Sequence, residues 1–248
     1  MFTTVSEPAE IFTRDLIQAV SDWQRGGSPR QKAARGLKLK AEAAALPDKF
    51  RQCSSKCFRQ IALPKGSFWQ LADTLELPET ISAWTVSLDV ARIFKNGVPS
   101  PGSQSIIFSV HSPPASVVLN LDCLLGEPAF VEAVETHKSD ISGYYDGICR
   151  YGNQQREVVL EISGIQITDI HGLGGYSSNR EELIEMMYGP NPSSENLRAF
   201  DRGLAASGQE LGPVWINGEA KDRVIVKIRA LMPGLRLIKK LQETKPLQ

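Results

Sequence analysis

The stretch Glu157-Val158-Val159-Leu160-Glu161-Ile162 is the most strand-like segment of the chain, and it follows the glycine-containing loop Tyr151-Gly152-Asn153-Gln154-Gln155-Arg156. Its valines and leucine predict a short buried strand. Similar runs occur at 57–62, 80–86, 106–110, 117–121, 165–170, 215–216 and 224–228. Because these runs do not alternate regularly with helices, they favour an α+β fold over a doubly wound sheet.

The N-terminal part of the sequence is helical in character. Residues 9–23 place apolar side chains at helical spacing, and Gly26-Gly27-Ser28-Pro29 ends this helix. A second helix is predicted over 31–46. Because no extended polar linker follows, we expect residues 1–54 to form a helical cap on a domain over 55–248. Further helices are predicted at 66–75, 88–94, 127–138 and 180–188.

Composition limits the class of protein. The 248 residues are 42% hydrophobic and 23% charged, which predicts a globular chain with one substantial core. No apolar run is long enough to span a membrane, and Glu7, Glu10 and Asp15 interrupt any secretory signal. Four cysteines are too few for a disulfide scaffold, so we expect a reducing cytoplasm. Cys53 and Cys57 lack a second ligand pair, so no metal is expected.

The charge of the chain is unevenly distributed. The 28 basic and 28 acidic residues cancel, yet basic residues predominate between positions 24 and 60. Such a stretch is typical either of a solvated helical surface or of a surface that contacts phosphates or an acidic partner.

The pair Gln155 and Glu157 is the first candidate for chemistry. Residues two apart on a strand face the same side, so these side chains are expected to project together. A carboxylate placed there can stabilise a positively charged, sugar-like transition state. Taken alone, however, the pair is typical of a solvent-facing strand edge.

Two further segments precede this pair in a fixed order. Phe58-Arg59 lies on an early strand, and Ser82-Ala83-Trp84-Thr85-Val86-Ser87 runs from a strand into a helix that contains Ala91 and Phe94. With Gln155-Arg156-Glu157, the ordered set resembles the Arg–Ser–Glu class of mono-ADP-ribosyltransferases. The resemblance covers residues 55–172 and leaves 176–248 as an extension. The strict Ser-Thr-Ser triplet of the class is absent, so the hydroxyl that takes its place stays open between Ser82, Thr85 and Ser87.

The resemblance implies a fold, a co-substrate and roles for these residues. The fold would be a mixed or antiparallel core of two packed sheets, and the co-substrate would be NAD, with no metal. Arg59 would bind the pyrophosphate, the hydroxyl group would hold the sugar or Glu157, and Glu157 would stabilise the oxocarbenium-like centre as nicotinamide leaves. The loop 95–104 would contact the phosphates and nicotinamide, and Tyr151 would stack on a base or side chain.

Gln155 also bears on the acceptor. Within the class a glutamate at this place accompanies arginine acceptors, so the glutamine implies another target. We expect a nucleic-acid base, favoured by the basic stretch, or a non-arginine protein side chain. By analogy the enzyme would be an intracellular toxin or phage-defence effector with a cognate inhibitor. The alternatives are an NAD glycohydrolase, in which water is the acceptor, and a non-catalytic binding module.

Overall fold

The computed structural model describes residues 11–64, 74–77, 79–94, 103–177, 180–208 and 211–243. Its strands are β1 (Lys56–Pro64), β2 (Leu75–Glu76), β3 (Ile81–Thr85), β4 (Ser103–His111), β5 (Val117–Asn120), β6 (Glu157–Glu161), β7 (Gly164–Ile165), β8 (Ile170–Ser177) and β9 (Gly212–Ile216). Its α-helices are α1 (Arg14–Gln24), α2 (Pro29–Ala43), α3 (Leu88–Ile93), α4 (Leu121–Leu125), α5 (Pro128–His137), α6 (Ile148–Tyr151), α7 (Arg180–Tyr188), α8 (Ser194–Ser207) and α9 (Gly218–Glu243). The predicted helix 66–75 and the predicted loop 95–104 lie almost entirely outside the described residues.

The strands confirm the α+β class. Hydrogen bonds join seven of them in the order β5-β6-β3-β1-β4-β8-β9, and β2 pairs with β7 in a separate two-stranded sheet. The pairs β1–β3, β3–β6, β5–β6 and β8–β9 are antiparallel. The described residues thus contain one seven-stranded sheet and one two-stranded sheet, and the two packed sheets that the resemblance implies stay a prediction. In the large sheet the three strands that carry the motifs, β1, β3 and β6, are neighbours.

The N-terminal helices begin at strong capping residues. The Thr13 hydroxyl accepts a hydrogen bond from the Leu16 backbone N–H at 3.1 Å, and Ser28 and Gln31 cap α2 reciprocally. The apolar face of α1 shares one core with Ile81 of β3 and Val159 of β6. The helices therefore cover one face of the sheet at the motif strands.

The contacts divide the chain into two compact units. The first comprises residues 1–59, 73–92 and 108–169, and the second comprises 60–72, 93–107 and 170–248. The predicted division at 54/55 falls inside the first unit, because α1 and α2 pack on the sheet that follows them. In the second unit β8 pairs with β9, and the Lys221 ammonium donates to the Ile170 carbonyl at 3.1 Å.

Two strand predictions were wrong. Residues 224–228 belong to α9, where residues 221, 224, 225 and 228 are buried or half-buried while 222, 223, 226 and 227 are exposed. That spacing is helical, so the β-branched composition of the stretch misled the prediction. The run 165–170 is interrupted by a 3₁₀ turn at Ile167–Asp169, in which the Asp169 carboxylate accepts from the Gln166 backbone N–H at 2.8 Å.

None of the helices over the described residues combines the length and the apolar character that crossing a bilayer requires.

The packing of α1 on the segment before α6 can be tested at Gly147. A Cβ added there would overlap the hydroxyl and the backbone carbonyl of Ser21. We therefore expect Gly147→Ala to lower the free energy of unfolding by about 1–3 kcal/mol, the usual cost of overpacking. Gly203→Ala is the matched control, since open space surrounds Gly203 in α8 and alanine favours a helix. Equal values for both variants in urea denaturation would contradict this packing.

Candidate active site

Three motif residues form one row across the sheet. Phe58 of β1 lies opposite Thr85 of β3, and Thr85 lies opposite Glu157 of β6. Residues that are directly opposite on neighbouring antiparallel strands project from the same face. The fold therefore places Thr85 beside Glu157, although 71 residues, 86–156, lie between them in the sequence.

Glu157 is a buried carboxyl group with one neutral hydrogen-bond donor. Its side chain is 5% exposed, and its Oε1 accepts from the Trp23 indole N–H at 2.6 Å. Burial raises the pKa of Glu157 from an ordinary value of 4.5 to about 7, and Trp23 and the adjacent Gln24 amide oppose part of that rise. Among the described residues no cation pairs with this carboxyl. Such a group lowers the stability of the fold when ionised and is typical of functional sites.

Trp23 is held in place by close packing between the two N-terminal helices and β3. Gly36 of α2 lies against Ile81 and Trp23, and a Cβ at Gly36 would stand 3.1 Å from the Ile81 Cβ and 3.2 Å from the Trp23 ring. The absence of a side chain at Gly36 thus lets the indole lie between α2 and the sheet. The sequence indicated that Trp23 belongs to an apolar helix face, but it did not reveal its contact with Glu157.

The neighbouring Gln24 is buried with an incomplete hydrogen-bond set. It is 9% exposed, and although its amide lies near enough to Glu157 to favour the charged carboxylate, neither Nε2 nor Oε1 completes a well-aligned hydrogen bond. Buried polar atoms without partners are rare in folded proteins, and a bound ligand is one explanation for them.

The three candidate hydroxyl groups are now separated by their environments. Ser82 is 1% exposed and accepts from the Trp84 indole N–H at 3.0 Å, on the strand face opposite to Thr85. Ser87 caps α3, accepting from the Val90 N–H at 3.3 Å. Thr85 accepts from the Ser87 N–H at 3.0 Å, and it is the candidate hydroxyl that lies in register with Glu157.

Arg59 lies immediately after the row, and its guanidinium is held by Glu79. The Arg59 Nη2 to Glu79 Oε2 distance is 3.3 Å, and both side chains are 17% exposed. The Glu79 carboxylate also binds Lys32 of α2 at 3.4 Å. The Arg59 Nη1 is buried without a hydrogen-bond partner within the described part of the chain. Arg59 does not contact Glu157, but it retains one unused donor.

The predicted common orientation of Gln155 and Glu157 was wrong. Strand β6 begins only at Glu157, and Gln155 lies in the preceding turn. Between them Arg156 has a φ of 45°, and its guanidinium binds both carboxylate oxygens of Asp122, at 3.3 and 3.2 Å. This left-handed residue breaks the extended geometry on which the alternation argument depended. Gln155 is half-buried in the turn before β6. It therefore lies near the start of the strand but is not part of its alternating pattern.

The segment before Glu157 is organised by α1. Gln18 exchanges two hydrogen bonds with Ser142, donating to its carbonyl at 3.1 Å and accepting from its N–H at 2.8 Å. The Ser21 hydroxyl accepts from the Ile148 N–H at 3.4 Å. Tyr151, predicted to lie in a loop, ends the short helix α6, and the Arg150 guanidinium lies 5.0 Å from its ring centroid. Helix α1 therefore fixes the segment that leads into Glu157 as well as entering the core.

The described residues contain no group of three or more histidine, cysteine, aspartate or glutamate side chains that could hold a metal ion. Cys53 and Cys57 are free thiols whose sulfur atoms lie 3.7 Å apart, and burial raises the pKa of Cys57 to about 12.

Comparison with known proteins adds no relative. No protein-family model matches the chain, and no curated protein or solved structure matches it either.

The burial of Glu157 has a measurable effect on stability. Because the folded protein holds this proton more tightly than the unfolded chain does, the cost of burial is absent below pH 4.5 and grows as the pH rises to about 7. We expect Glu157→Gln to raise the free energy of unfolding by about 3 kcal/mol at pH 8, since each unit of pKa shift corresponds to about 1.36 kcal/mol. At pH 4.5 the substitution should change the free energy of unfolding little.

Glu161→Gln is the matched control, on the same strand and the same face. Glu161 is 37% exposed and binds Lys40 at 2.6 Å, so its replacement should lower stability by less than about 1 kcal/mol at pH 8. Urea denaturation of both variants at the two pH values makes the comparison. A free energy of unfolding at pH 8 that is lower for Glu157→Gln than for the wild type would show that burying the ionised carboxylate does not lower stability.

Proposed function

We propose that the protein is an NAD-dependent mono-ADP-ribosyltransferase in which Glu157 is the catalytic carboxylate. The observation that carries the proposal is the buried Glu157 carboxyl, which pairs with no cation among the described residues and lies in one row with Thr85 and Phe58. Burying a carboxylate without a cation lowers the stability of the resting protein. The same ionised group stabilises a positive charge that forms beside it during a reaction. Cleavage of the nicotinamide–ribose bond generates such a charge on the ribose.

The proposed reaction breaks one bond and forms another. The bond between the nicotinamide nitrogen and the ribose carbon breaks, and its electron pair leaves with neutral nicotinamide. The ionised Glu157 stabilises the oxocarbenium-like ribose and accepts a hydrogen bond from a ribose hydroxyl. The acceptor then attacks the same carbon and releases a proton.

Other residues of the first compact unit fit the remaining parts of NAD. The unused Nη1 donor of Arg59 suits a phosphate oxygen, since a guanidinium that is already oriented by Glu79 loses little freedom on binding. Thr85 suits the ribose or the orientation of Glu157. An extended dinucleotide holds its phosphates and its scissile bond at separate points, so Arg59 and Glu157 need not touch.

The contacts of the basic 24–60 stretch bear on the choice of acceptor. Several cations of the 24–60 stretch bind carboxylates of the chain itself: Arg25–Asp22, Lys32–Glu79, Lys40–Glu161, Lys49–Glu127, Arg51–Asp48 and Arg59–Glu79. These ion pairs weaken the electrostatic argument for a nucleic-acid acceptor. The neutral amide of Gln155 still argues against arginine. We propose a non-arginine acceptor, either a base or a protein side chain.

Transfer can be tested with labelled NAD. The wild type, Glu157→Gln and Glu161→Gln would be incubated with total RNA, DNA and cell extract, and the adducts identified by mass spectrometry. We expect Glu157→Gln to lose about 100- to 1000-fold in rate, since it lacks the charge that stabilises the transition state, and Glu161→Gln to keep its activity.

The products distinguish the alternatives. Free ADP-ribose without a labelled macromolecule would identify an NAD glycohydrolase. Equal labelling by the wild type and Glu157→Gln would remove Glu157 from the mechanism. No consumption of NAD by the wild type under any of these conditions would leave the non-catalytic binding module as the better account.

A further inference from the structure

We infer that Trp23 is a positioning residue for Glu157, and that α1 is thereby a functional part of the NAD site. The inference rests on the proposed function and deepens it. The Trp23 indole N–H donates to Oε1 of Glu157 at 2.6 Å, across 134 positions of sequence. Trp23 acts on the carboxyl group and is not assigned a contact with NAD.

The hydrogen bond fixes one oxygen of the carboxyl, Oε1, and in the proposed reaction the other oxygen accepts from the ribose hydroxyl. The β6 backbone sets the position of Glu157 through its register with Thr85, and the indole then limits rotation of the carboxyl about its terminal bond. A preorganised carboxylate needs no rearrangement when the positive ribose forms. An indole also donates without adding a charge, so it does not neutralise the carboxylate as a lysine or arginine would.

The other groups near Glu157 do not duplicate this contact. From α1, Gln24 favours the charged form more weakly than Trp23 does. Thr85 of β3 lies opposite Glu157, and Arg156, which precedes Glu157 in the chain, binds Asp122. Three of the five cations of α2 have partners of their own: Lys32 with Glu79, Arg35 with the Gly26 carbonyl, and Lys40 with Glu161. The other two, Arg30 and Lys38, have no contact with Glu157 in the described part of the chain. Trp23 is thus the group in direct hydrogen bond with Oε1.

A purely structural tryptophan would behave differently. Trp23 also packs against Gly36 and the core, so removing its ring would destabilise the fold whether or not its N–H matters. The test must therefore follow the N–H itself and must retain an aromatic ring.

The first arm needs no change at Trp23. The indole N–H resonances of the ¹⁵N-labelled protein would be followed from pH 5 to 9 in the wild type and in Glu157→Gln. We expect the Trp23 resonance to titrate with a midpoint near 7 in the wild type and to stay constant in the variant, because its partner ionises only in the wild type. The Trp84 indole donates to the neutral Ser82 hydroxyl and serves as the internal control.

The second arm uses Trp23→Phe, with Trp215→Phe in the second compact unit as the matched control. Loss of a donor to a charged group should move the midpoint of the pH–rate profile upward by about one unit. At pH 7 kcat for NAD cleavage should fall about fivefold, as the ionised fraction of Glu157 falls with a one-unit higher midpoint, and recover toward pH 9, while KM stays near the wild-type value. Trp215→Phe should leave the profile unchanged.

The outcomes separate the two proposals. A Trp23 resonance that does not titrate, or a Trp23→Phe profile equal to that of the wild type, would overturn the positioning role. If Trp23→Phe did not fold, the resonance of the wild type would decide alone. If the Trp23 resonance titrated but the protein did not cleave NAD, the hydrogen bond to Glu157 would be confirmed. The proposed function, and with it the role of Trp23 in that function, would be wrong.

Discussion

A carboxyl group buried at the start of β6 is the constraint around which the first compact unit is arranged. Glu157 is placed by its register with Thr85, and its Oε1 is held by the Trp23 indole. Folding gains nothing from ionising a carboxylate in such surroundings, and a glutamine would satisfy the same indole donor. The arrangement is therefore better explained by chemistry than by stability.

The N-terminal helices both pack in the core and contact the segments around Glu157. Helix α1 enters the core with its apolar face, and it also carries Gln18, Ser21 and Trp23, which bind the 142–148 segment and Glu157. Gly36 permits the close approach of α2 that encloses the indole. The helices that the sequence presents as a cap therefore pack directly around Trp23 and Glu157, and their contacts belong to the same compact unit as β3 and β6.

Much of this could be predicted from the sequence, because local patterns define the strands. The runs around Phe58, Thr85 and Glu157 predicted β1, β3 and β6, and the order of the motifs indicated that they belong together. The contacts of Trp23 and Glu79 could not be predicted, since they depend on tertiary packing between distant segments. Gln155 was misplaced because a left-handed residue at Arg156 interrupts the strand pattern. Residues 224–228 were misassigned because β-branched composition is a weaker signal than helical burial over a long element.

The pH dependence of nicotinamide release from NAD tests the central claim most directly, since it measures bond cleavage without requiring knowledge of the acceptor. In the free enzyme, kcat/KM reports the ionisation of the catalytic group. If Glu157 is that group, kcat/KM should rise with pH through a single midpoint near 7, and Glu157→Gln should abolish the rise. Release of nicotinamide that is independent of pH, or that is equal in Glu157→Gln, would contradict the assignment.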